Sequence, residues 1–190
     1  MNDIYKGELV RLSAIDADEL GKAFSKWDRD SEFVRYLNSG IARTVSHKKE
    51  KEWIEKDLQE QSISEHFFSI RGLADDRLLG IIDLYVANWP ARDTFVGIGI
   101  GDREFWGKGY GTDAMKVILR YAFTEINMNR VSLTVFEYNP RAIRSYEKVG
   151  FLHEGRVRGL LNKEGKRWDM LLMGILREEW KERYDNKTKN

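Results

Sequence analysis

The most distinctive pattern of apolar and polar positions lies in residues 95–126. Apolar residues and glycines alternate over six positions, which predicts a strand with one nearly bare face: Val96, Gly97, Ile98, Gly99, Ile100 and Gly101. Glycine weakens a strand, so three glycines on one face indicate close approach by a ligand or by another backbone. Apolar residues then recur with the spacing of an amphipathic helix: Met115, Ile118, Leu119, Ala122, Phe123 and Ile126. The segment is therefore predicted to be a strand, a glycine-rich turn and a helix.

Strands and helices are also predicted on both sides of this segment. The strand at 77–87 is apolar on both faces apart from Asp83, as a central strand should be. Asn139 followed by Pro140 is a preferred helix start, and Gly150 ends that helix. The predicted order is β-α-α-α-β-β-β-α-β-α-β-β. Strands are expected at 9–12, 66–71, 77–87, 95–101, 130–136, 151–159 and 167–175. Helices are expected at 17–25, 31–37, 47–61 and 140–149. Two more helices are expected, one that follows the glycine-rich turn and ends at 126 and a short one that begins at 177.

Length and composition narrow the class of protein. A chain of 190 residues predicts one domain, 1–190, with a frayed tail at about 185–190. The 32 basic and 31 acidic residues leave a charge of +1, so we expect neither nucleic acid nor a membrane as a partner. No apolar run reaches the roughly 18 residues of a membrane span, and the first six residues lack a signal-peptide core.

Cysteine and histidine usage restricts the chemistry further. Cysteine is absent, which fits a cytoplasmic location and excludes disulfides, cysteine metal sites and an acyl-cysteine intermediate. His47, His66 and His153 are scattered without ligand spacing, so we expect no metal.

The glycine-rich turn at 106–112 has the features of an anion site. Glycines allow positive φ and close approach, and the next helix begins with N–H groups that lack internal partners. A Walker P-loop needs a Lys-Ser/Thr pair after its last glycine. This chain has Tyr110-Gly111-Thr112 in that place, so it does not match the P-loop motif. A dinucleotide fingerprint needs G-x-G-x-x-G, whereas Gly107, Gly109 and Gly111 are spaced G-x-G-x-G. A glycine-rich turn without a ligand is the remaining alternative.

The turn resembles the acyl-CoA pyrophosphate loop of the GCN5-related N-acetyltransferases (GNAT), whose signature is Gln/Arg-x-x-Gly-x-Gly/Ala. Gly109 and Gly111 match that signature, while Trp106 stands where Gln or Arg is usual. The Trp-Gly-Lys-Gly-Tyr-Gly run is similar to the branch with ribosomal-protein alanine acetyltransferases and diamine acetyltransferases. Residues 139–151, about 30 positions further on, are similar to the family's Asn-x-x-Ala-x-x-x-Tyr-x-x-x-Gly-Phe segment. The two motifs together make the resemblance specific.

The predicted element order is also the order of that family, so the resemblance covers nearly the whole chain. It implies an α/β fold with a mixed, mostly antiparallel sheet of about seven strands, flanked by helices and splayed between strands 4 and 5. It implies an enzyme that transfers the acetyl group of acetyl-CoA to a primary amine by direct attack in a ternary complex. The alternative is a non-catalytic acyl-CoA-binding module that senses or regulates.

The resemblance also assigns residues to the cofactor. The strand around Ile98, Gly99 and Ile100 would pair with pantetheine as an added strand would. The pyrophosphate would lie on the turn and the helix start, at Lys108, Gly109, Tyr110, Gly111 and Thr112. Asn139 is expected to contact the cofactor or to serve as a helix cap alone. Asp113 in the first helical turn would repel a phosphate, so its side chain should face away.

The chemistry asks for an acid and a base. A lysine-like amine has a pKa near 10.4, so a base or a water relay must remove a proton before or during attack. By resemblance, Tyr146 is the general acid that protonates the departing CoA thiolate; core packing is its alternative role. Many relatives carry a glutamate on the strand at 95–101, but this chain has none there. Asp83, Glu137 and Asp169 are the base candidates, and each is equally consistent with a solvated or paired acid.

The sequence does not identify the acceptor amine. The branch resemblance allows a protein N-terminus, a polyamine, an amino sugar or an antibiotic amine, and it is compatible with a homodimer.

Overall fold

The structure, a computed structural model, describes residues 3–185. Its strands are β1 Val10–Ser13, β2 Glu65–Gly72, β3 Leu78–Asn88, β4 Asp93–Ile100, β5 Arg130–Phe136, β6 Leu152–Lys163 and β7 Lys166–Leu176. Its helices are α1 Ala17–Trp27, α2 Ser31–Leu37, α3 His47–Glu60, α4 Tyr110–Thr124, α5 Pro140–Val149 and α6 Arg177–Asp185. A short 3-10 turn, Arg103–Phe105, comes before α4. The tail predicted at about 185–190 lies outside the described residues, except for Asp185 at the end of α6.

The seven strands form one mixed sheet in the order β1-β2-β3-β4-β5-β7-β6. The β4–β5 pair is parallel, and the other neighbouring pairs are antiparallel. The predicted α/β fold with a mostly antiparallel seven-stranded sheet is thus confirmed.

The two central strands, β4 and β5, separate soon after they meet. Their pairing ends at Phe95, which lies opposite Ser132. Beyond that point β4 stays paired with β3 as far as Ile100, and β5 stays paired with β7 as far as Phe136. One edge of β4 is therefore unpaired over residues 96–100. This is the splay predicted between strands 4 and 5.

Two apolar clusters pack on opposite faces of the sheet. Ile82 belongs to the larger cluster and Ile81 packs against the smaller one, and neighbouring residues of a strand point to opposite faces. Helix α4 lies on the larger cluster, where Ile118 and Leu119 are fully buried. Burying each such side chain contributes about 1.5–3 kcal/mol, so the start of α4 is firmly anchored. Helices α1 and α2 form the smaller cluster over the other face.

The final hairpin is longer than its sequence pattern predicts. Strand β6 continues to Lys163 instead of ending near 159, and β7 begins at Lys166. The two residues between them, Glu164 and Gly165, both have positive φ, 55° and 71°. A two-residue turn of this kind matches the twist of the flanking strands, which lets the pairing extend to the tip.

Candidate functional site

A cavity of about 430 Å³ opens where β4 and β5 separate. Its walls come from β4, β5, α2 and the beginnings of α4 and α5. This volume is typical of a site for a small molecule or a cofactor. Most of the residues predicted to form a site line it together: Ile98, Gly99, Ile100, Gly109, Gly111, Thr112, Asn139 and Tyr146.

The start of α4 forms a cradle for an anion at one end of the cavity. Gly109 is the N-cap with φ 95°, and no side chain caps the helix. The N–H groups of Tyr110, Gly111 and Thr112 have no acceptor among the described residues. They point out of the positive end of a helix dipole, which is the arrangement that binds phosphate groups. The glycine-rich turn therefore has both the conformation and the free donors of a phosphate loop.

Two of the residues predicted at this cradle lie outside the cavity lining. Lys108 and Tyr110 are not among the residues that line the cavity. The Tyr110 ring instead packs edge-on against Phe105, with 5.3 Å between the ring centroids. Their predicted role in holding pyrophosphate therefore rests on main-chain groups.

The negative charge of Asp113 is held away from the cradle, as the sequence predicts. Its side chain is buried and accepts hydrogen bonds from the backbone N–H groups of Leu9 at 2.8 Å and Val10 at 3.1 Å. Asp113 thus fixes the N-terminal segment against the first turn of α4.

The glycine face of β4 is covered by side chains of the chain itself. A Cβ atom at Gly97 would lie 2.7 Å from Oδ1 of Asp83, and one at Gly99 would lie 2.7 Å from Cδ1 of Leu37. A larger residue at either position would therefore require the neighbouring side chain to shift. The close approach predicted from the glycines is therefore made by side chains of β3 and α2, and it places Asp83 beside Gly97, which lines the cavity.

Tyr146 stands in the cavity wall on α5. Its ring packs 6.1 Å from that of Phe151, and its hydroxyl has no hydrogen-bond partner among the described residues. Burial raises the pKa of Tyr146 to about 12, while the charge of Arg141 acts in the opposite direction. The hydroxyl therefore stays protonated at physiological pH and is available to donate a proton or a hydrogen bond.

The three candidate bases have different surroundings. Asp83 is largely buried without a hydrogen bond or ion pair among the described residues, and burial raises its pKa to about 6. Glu137 accepts the backbone N–H of Asp169, and both carboxylates lie near the guanidinium of Arg156, at 3.4 and 2.8 Å. Asp169 also accepts the backbone N–H of Gly159. Glu137 and Asp169 do not line the cavity and together hold the β6–β7 hairpin.

Asn139 is a helix cap and also faces the cavity. Its Oδ1 accepts the backbone N–H of Ala142 at 3.2 Å, and the residue is buried. The amide nitrogen remains as a donor toward the cavity. Close by, the hydroxyl groups of Thr112 and Ser145 lie 2.7 Å apart and join α4 to α5.

Several residues of the cavity wall were not predicted from the sequence. Phe33, Tyr36 and Leu37 of α2 form one wall of the cavity, and the guanidinium of Arg141 on α5 lies over the ring of Tyr36. No local pattern marks the α2 residues, because their position depends on how α2 packs over β4. The position of Arg141 could have been predicted from the sequence. It is five residues before Tyr146, so the two residues lie within one and a half turns of the same helix.

Two classes of feature are not found in residues 3–185. No group of three or more His, Cys, Asp or Glu residues there is arranged to hold a metal ion. Within the same range, no helix combines the length and apolarity needed to cross a membrane.

Comparisons with known proteins agree with this geometry. The family model described as "Acetyltransferase (GNAT) domain" matches residues 9–152. The uncharacterised, SPbeta prophage-derived N-acetyltransferase YokL of Bacillus subtilis is 27% identical, over 93% of this chain and 94% of that protein. The provisionally named ribosomal N-acetyltransferase YdaF of the same organism is 34% identical over 57% of this chain and 58% of that protein.

A solved structure shares the fold. Spermidine N-acetyltransferase from Vibrio cholerae, in complex with CoA and spermine, superposes with a TM-score of 0.78 at 24% identity, over 90% of this chain and 97% of that chain. The names of these proteins agree with the predicted branch, and the family assignment favours the enzyme over the non-catalytic module. The family model covers most of the chain, so the protein belongs to the GNAT acetyltransferase family and is an acetyl-CoA-dependent N-acetyltransferase.

Proposed function

We propose that the protein transfers the acetyl group of acetyl-CoA to a primary amine by direct attack within a ternary complex. The observation that carries the proposal is the unpaired edge of β4. This edge borders a cavity that has a phosphate cradle at one end and Tyr146 in its wall. The sequence contains no cysteine, so an acyl-cysteine intermediate is excluded.

The cofactor would be held mainly by main-chain groups. The free edge of β4 over residues 96–100 offers N–H and C=O groups to the amides of pantetheine, as an added strand would use them; the exception is the Ile100 carbonyl, which accepts the indole N–H of Trp106. The N–H groups at the start of α4 would hold the pyrophosphate. A β4 N–H near the thioester could also stabilise the oxyanion that forms during attack.

Tyr146 is proposed as the general acid. During transfer the C–N bond forms, the C–S bond breaks, and the CoA sulfur takes a proton from the tyrosine hydroxyl. Its raised pKa, about 12, keeps the hydroxyl protonated. A thiol has a pKa near 8.5 in water, and burial raises the pKa of a thiol as well, so the buried thiolate accepts the proton more readily than in water.

Asp83 is the proposed base, acting directly or through water. Its carboxylate lies beside Gly97, which lines the cavity, and its pKa near 6 makes it a carboxylate at neutral pH. A base with a pKa near the working pH combines the right protonation state with useful basicity. Glu137 and Asp169 are less suitable because Arg156 and backbone N–H groups already engage them.

The charge of the cavity bears on the choice of acceptor. Its lining residues include no carboxylate, whereas Arg141, Arg144 and Lys148 contribute cations. A polyamine would bring a second ammonium group into this cavity without a partner, and a desolvated, unpaired charge is costly. Among the expected acceptors, this favours an amine with a single positive charge, such as a protein N-terminus, over a polyamine.

Turnover of acetyl-CoA with a panel of amines tests the proposal. CoA release can be followed with a thiol reagent, and the absence of cysteine removes any background from the enzyme. We expect release with at least one monoamine or peptide N-terminus. CoA binding without release for every amine class would instead support the sensor. A single domain, a homodimer and a cytoplasmic location remain predictions.

A further inference from the structure

Arg141 is placed in the cavity in an unusual way for a charged side chain. Its guanidinium carbon lies 3.7 Å from the ring centroid of Trp106 and 5.3 Å from that of Tyr36. Trp106 is itself fixed, because its indole N–H donates to the backbone carbonyl of Ile100 at 2.7 Å. Stacking on two aromatic rings sets the plane of the guanidinium while leaving its N–H edge free.

The N–H edge of the Arg141 guanidinium has no hydrogen-bond acceptor among the described residues. Arg141 makes no hydrogen bond or ion pair with the residues that the structure describes, although it is half-buried and lines the cavity. Burial lowers the pKa of Arg141, which reflects the cost of holding this charge away from water. A guanidinium offers five N–H donors, and a partly desolvated one without an acceptor is a costly arrangement unless an anion completes it.

The carboxylates nearest to this part of the cavity are already engaged. Glu32 is paired with Arg103 at 2.7 Å, and Asp30 accepts a hydrogen bond from Arg103 at 2.6 Å. Glu164 is paired with Arg35 on the other side of α2. Other arginines therefore engage these three acids, and Arg141 has no ion-pair partner among the described residues.

We propose that Arg141 is a preorganised anion-binding residue, which takes a phosphate or a carboxylate group of a molecule bound in the cavity. Two sources of that anion are chemically equivalent at a guanidinium. One is a phosphate of acetyl-CoA, because the cradle at Gly109 and Gly111 borders the same cavity. The other is a carboxylate on the acceptor. The guanidinium of Arg141 also lies over Tyr36, which belongs to the α2 wall of the cavity, and an acceptor bound against that wall would bring its carboxylate to Arg141. The inference rests on the proposed function only in taking this cavity as the acyl-CoA site.

The substitution Arg141→Gln removes the charge and keeps much of the side-chain length. The matched control is Arg158→Gln on β6, where the side chain is exposed, does not line the cavity and has no aromatic partner among the described residues. Circular dichroism and thermal unfolding of both variants should match the wild type before binding is compared.

The first arm of the experiment measures binding by calorimetry, using CoA and pantetheine, which lacks every phosphate. If the anion is a cofactor phosphate, Arg141→Gln should weaken CoA roughly tenfold to a hundredfold, the range for a hydrogen bond between charged groups, and leave pantetheine unchanged. Arg158→Gln should leave the affinity for CoA unchanged.

The second arm measures acetylation of three amines of one length: 6-aminohexanoate, hexylamine and 1,6-diaminohexane. If the anion is an acceptor carboxylate, the wild type should prefer the aminohexanoate and discriminate against the diamine, and Arg141→Gln should abolish that order while CoA affinity stays constant. Unchanged CoA affinity together with no charge preference among the amines overturns the proposal. Absence of turnover with intact CoA binding would count against the proposed function, and the first arm would still decide the anion site.

Discussion

At the scale of single residues, burial raises the pKa of both Tyr146 and Asp83, but the consequences differ. The tyrosine, with a pKa of about 12, keeps its proton across the whole working range. The aspartate, with a pKa of about 6, loses its proton just below neutral pH. The two groups therefore hold the protonation states that an acid and a base need at pH 7.

Tyr146→Phe tests the acid. The change removes one hydroxyl that has no partner among the described residues, so packing and CoA affinity should hardly change. We expect kcat to fall roughly 10²-fold, the lower part of the range for a positioned general acid, with kcat/KM falling in parallel. A thioester with a more acidic thiol needs less protonation, so the defect should shrink with that substrate. Equal impairment with both thioesters, or a loss of stability with kcat intact, would exclude the acid role.

Asp83→Asn tests the base through pH dependence. Between about pH 6 and 9, the rate should rise only with deprotonation of the acceptor amine, whereas below pH 6 protonation of Asp83 should make the decline steeper. The variant should be slower at pH 7.5 and should lose the steeper limb. The measurement is log kcat/KM as a function of pH for the wild type and for Asp83→Asn. A wild-type limb near pH 6 that survives in the variant would show that another group is the base.

Asp83→Asn should also change the stability of the fold. The substitution should lower the activity but raise the free energy of unfolding above pH 6. The folded pKa of Asp83 is raised from 3.8 to about 6, so the fold favours the protonated acid, and stability is lost as pH rises through 6. Asp83→Asn removes that loss. In urea unfolding the variant should therefore be more stable than the wild type at pH 8, by up to about 3 kcal/mol, and similar to it at pH 3.5. Equal stability at pH 8 would mean that Asp83 is better solvated than its burial indicates.

At the scale of elements, the proposed cofactor site consists of the start of α4 and the free edge of β4. Both depend on main-chain atoms: the N–H groups after Gly109 and the unpaired groups of residues 96–100. Because these contacts are to the backbone, side chains at the cradle matter chiefly by their bulk and charge.

Gly111 offers a clean test of the cradle. A Cβ atom there would make an ordinary contact, 3.6 Å from Cγ1 of Ile100, and Gly111 has no positive φ. Gly111→Asp and Gly111→Asn have nearly the same shape but differ by one negative charge. CoA affinity measured by calorimetry should fall well over tenfold for the aspartate variant and clearly less for the asparagine variant. Equal affinities for the two variants would argue against a phosphate at this helix start.

Elements with strong local signals were predictable from the sequence. Asn139 does cap α5, Gly150 does end it, and the alternating glycines do mark β4. The hairpin tip and the roles of individual side chains were less accessible. The sequence alone gave no means to rank Asp83 above Glu137, because the difference comes from Arg156, a residue on another strand that engages Glu137. The Arg141–Trp106 stack likewise depends on packing between residues far apart in the chain.

At the scale of the whole molecule, the splayed sheet joins two sides of the protein at one cavity. The cradle belongs to α4, whereas the wall formed by Tyr36 and Leu37 belongs to α2. A cofactor held at the first and an amine arriving along the second would meet beside the free edge of β4. That arrangement needs no covalent relay through the protein, since both substrates occupy one continuous space.

Initial rates measured over a matrix of acetyl-CoA and amine concentrations test this account most directly. Direct attack in a ternary complex predicts lines that intersect in a double-reciprocal plot, because both substrates must be bound before any product leaves. Parallel lines, the pattern of a ping-pong reaction, would mean that the acetyl group first moves to the protein, and they would contradict direct transfer.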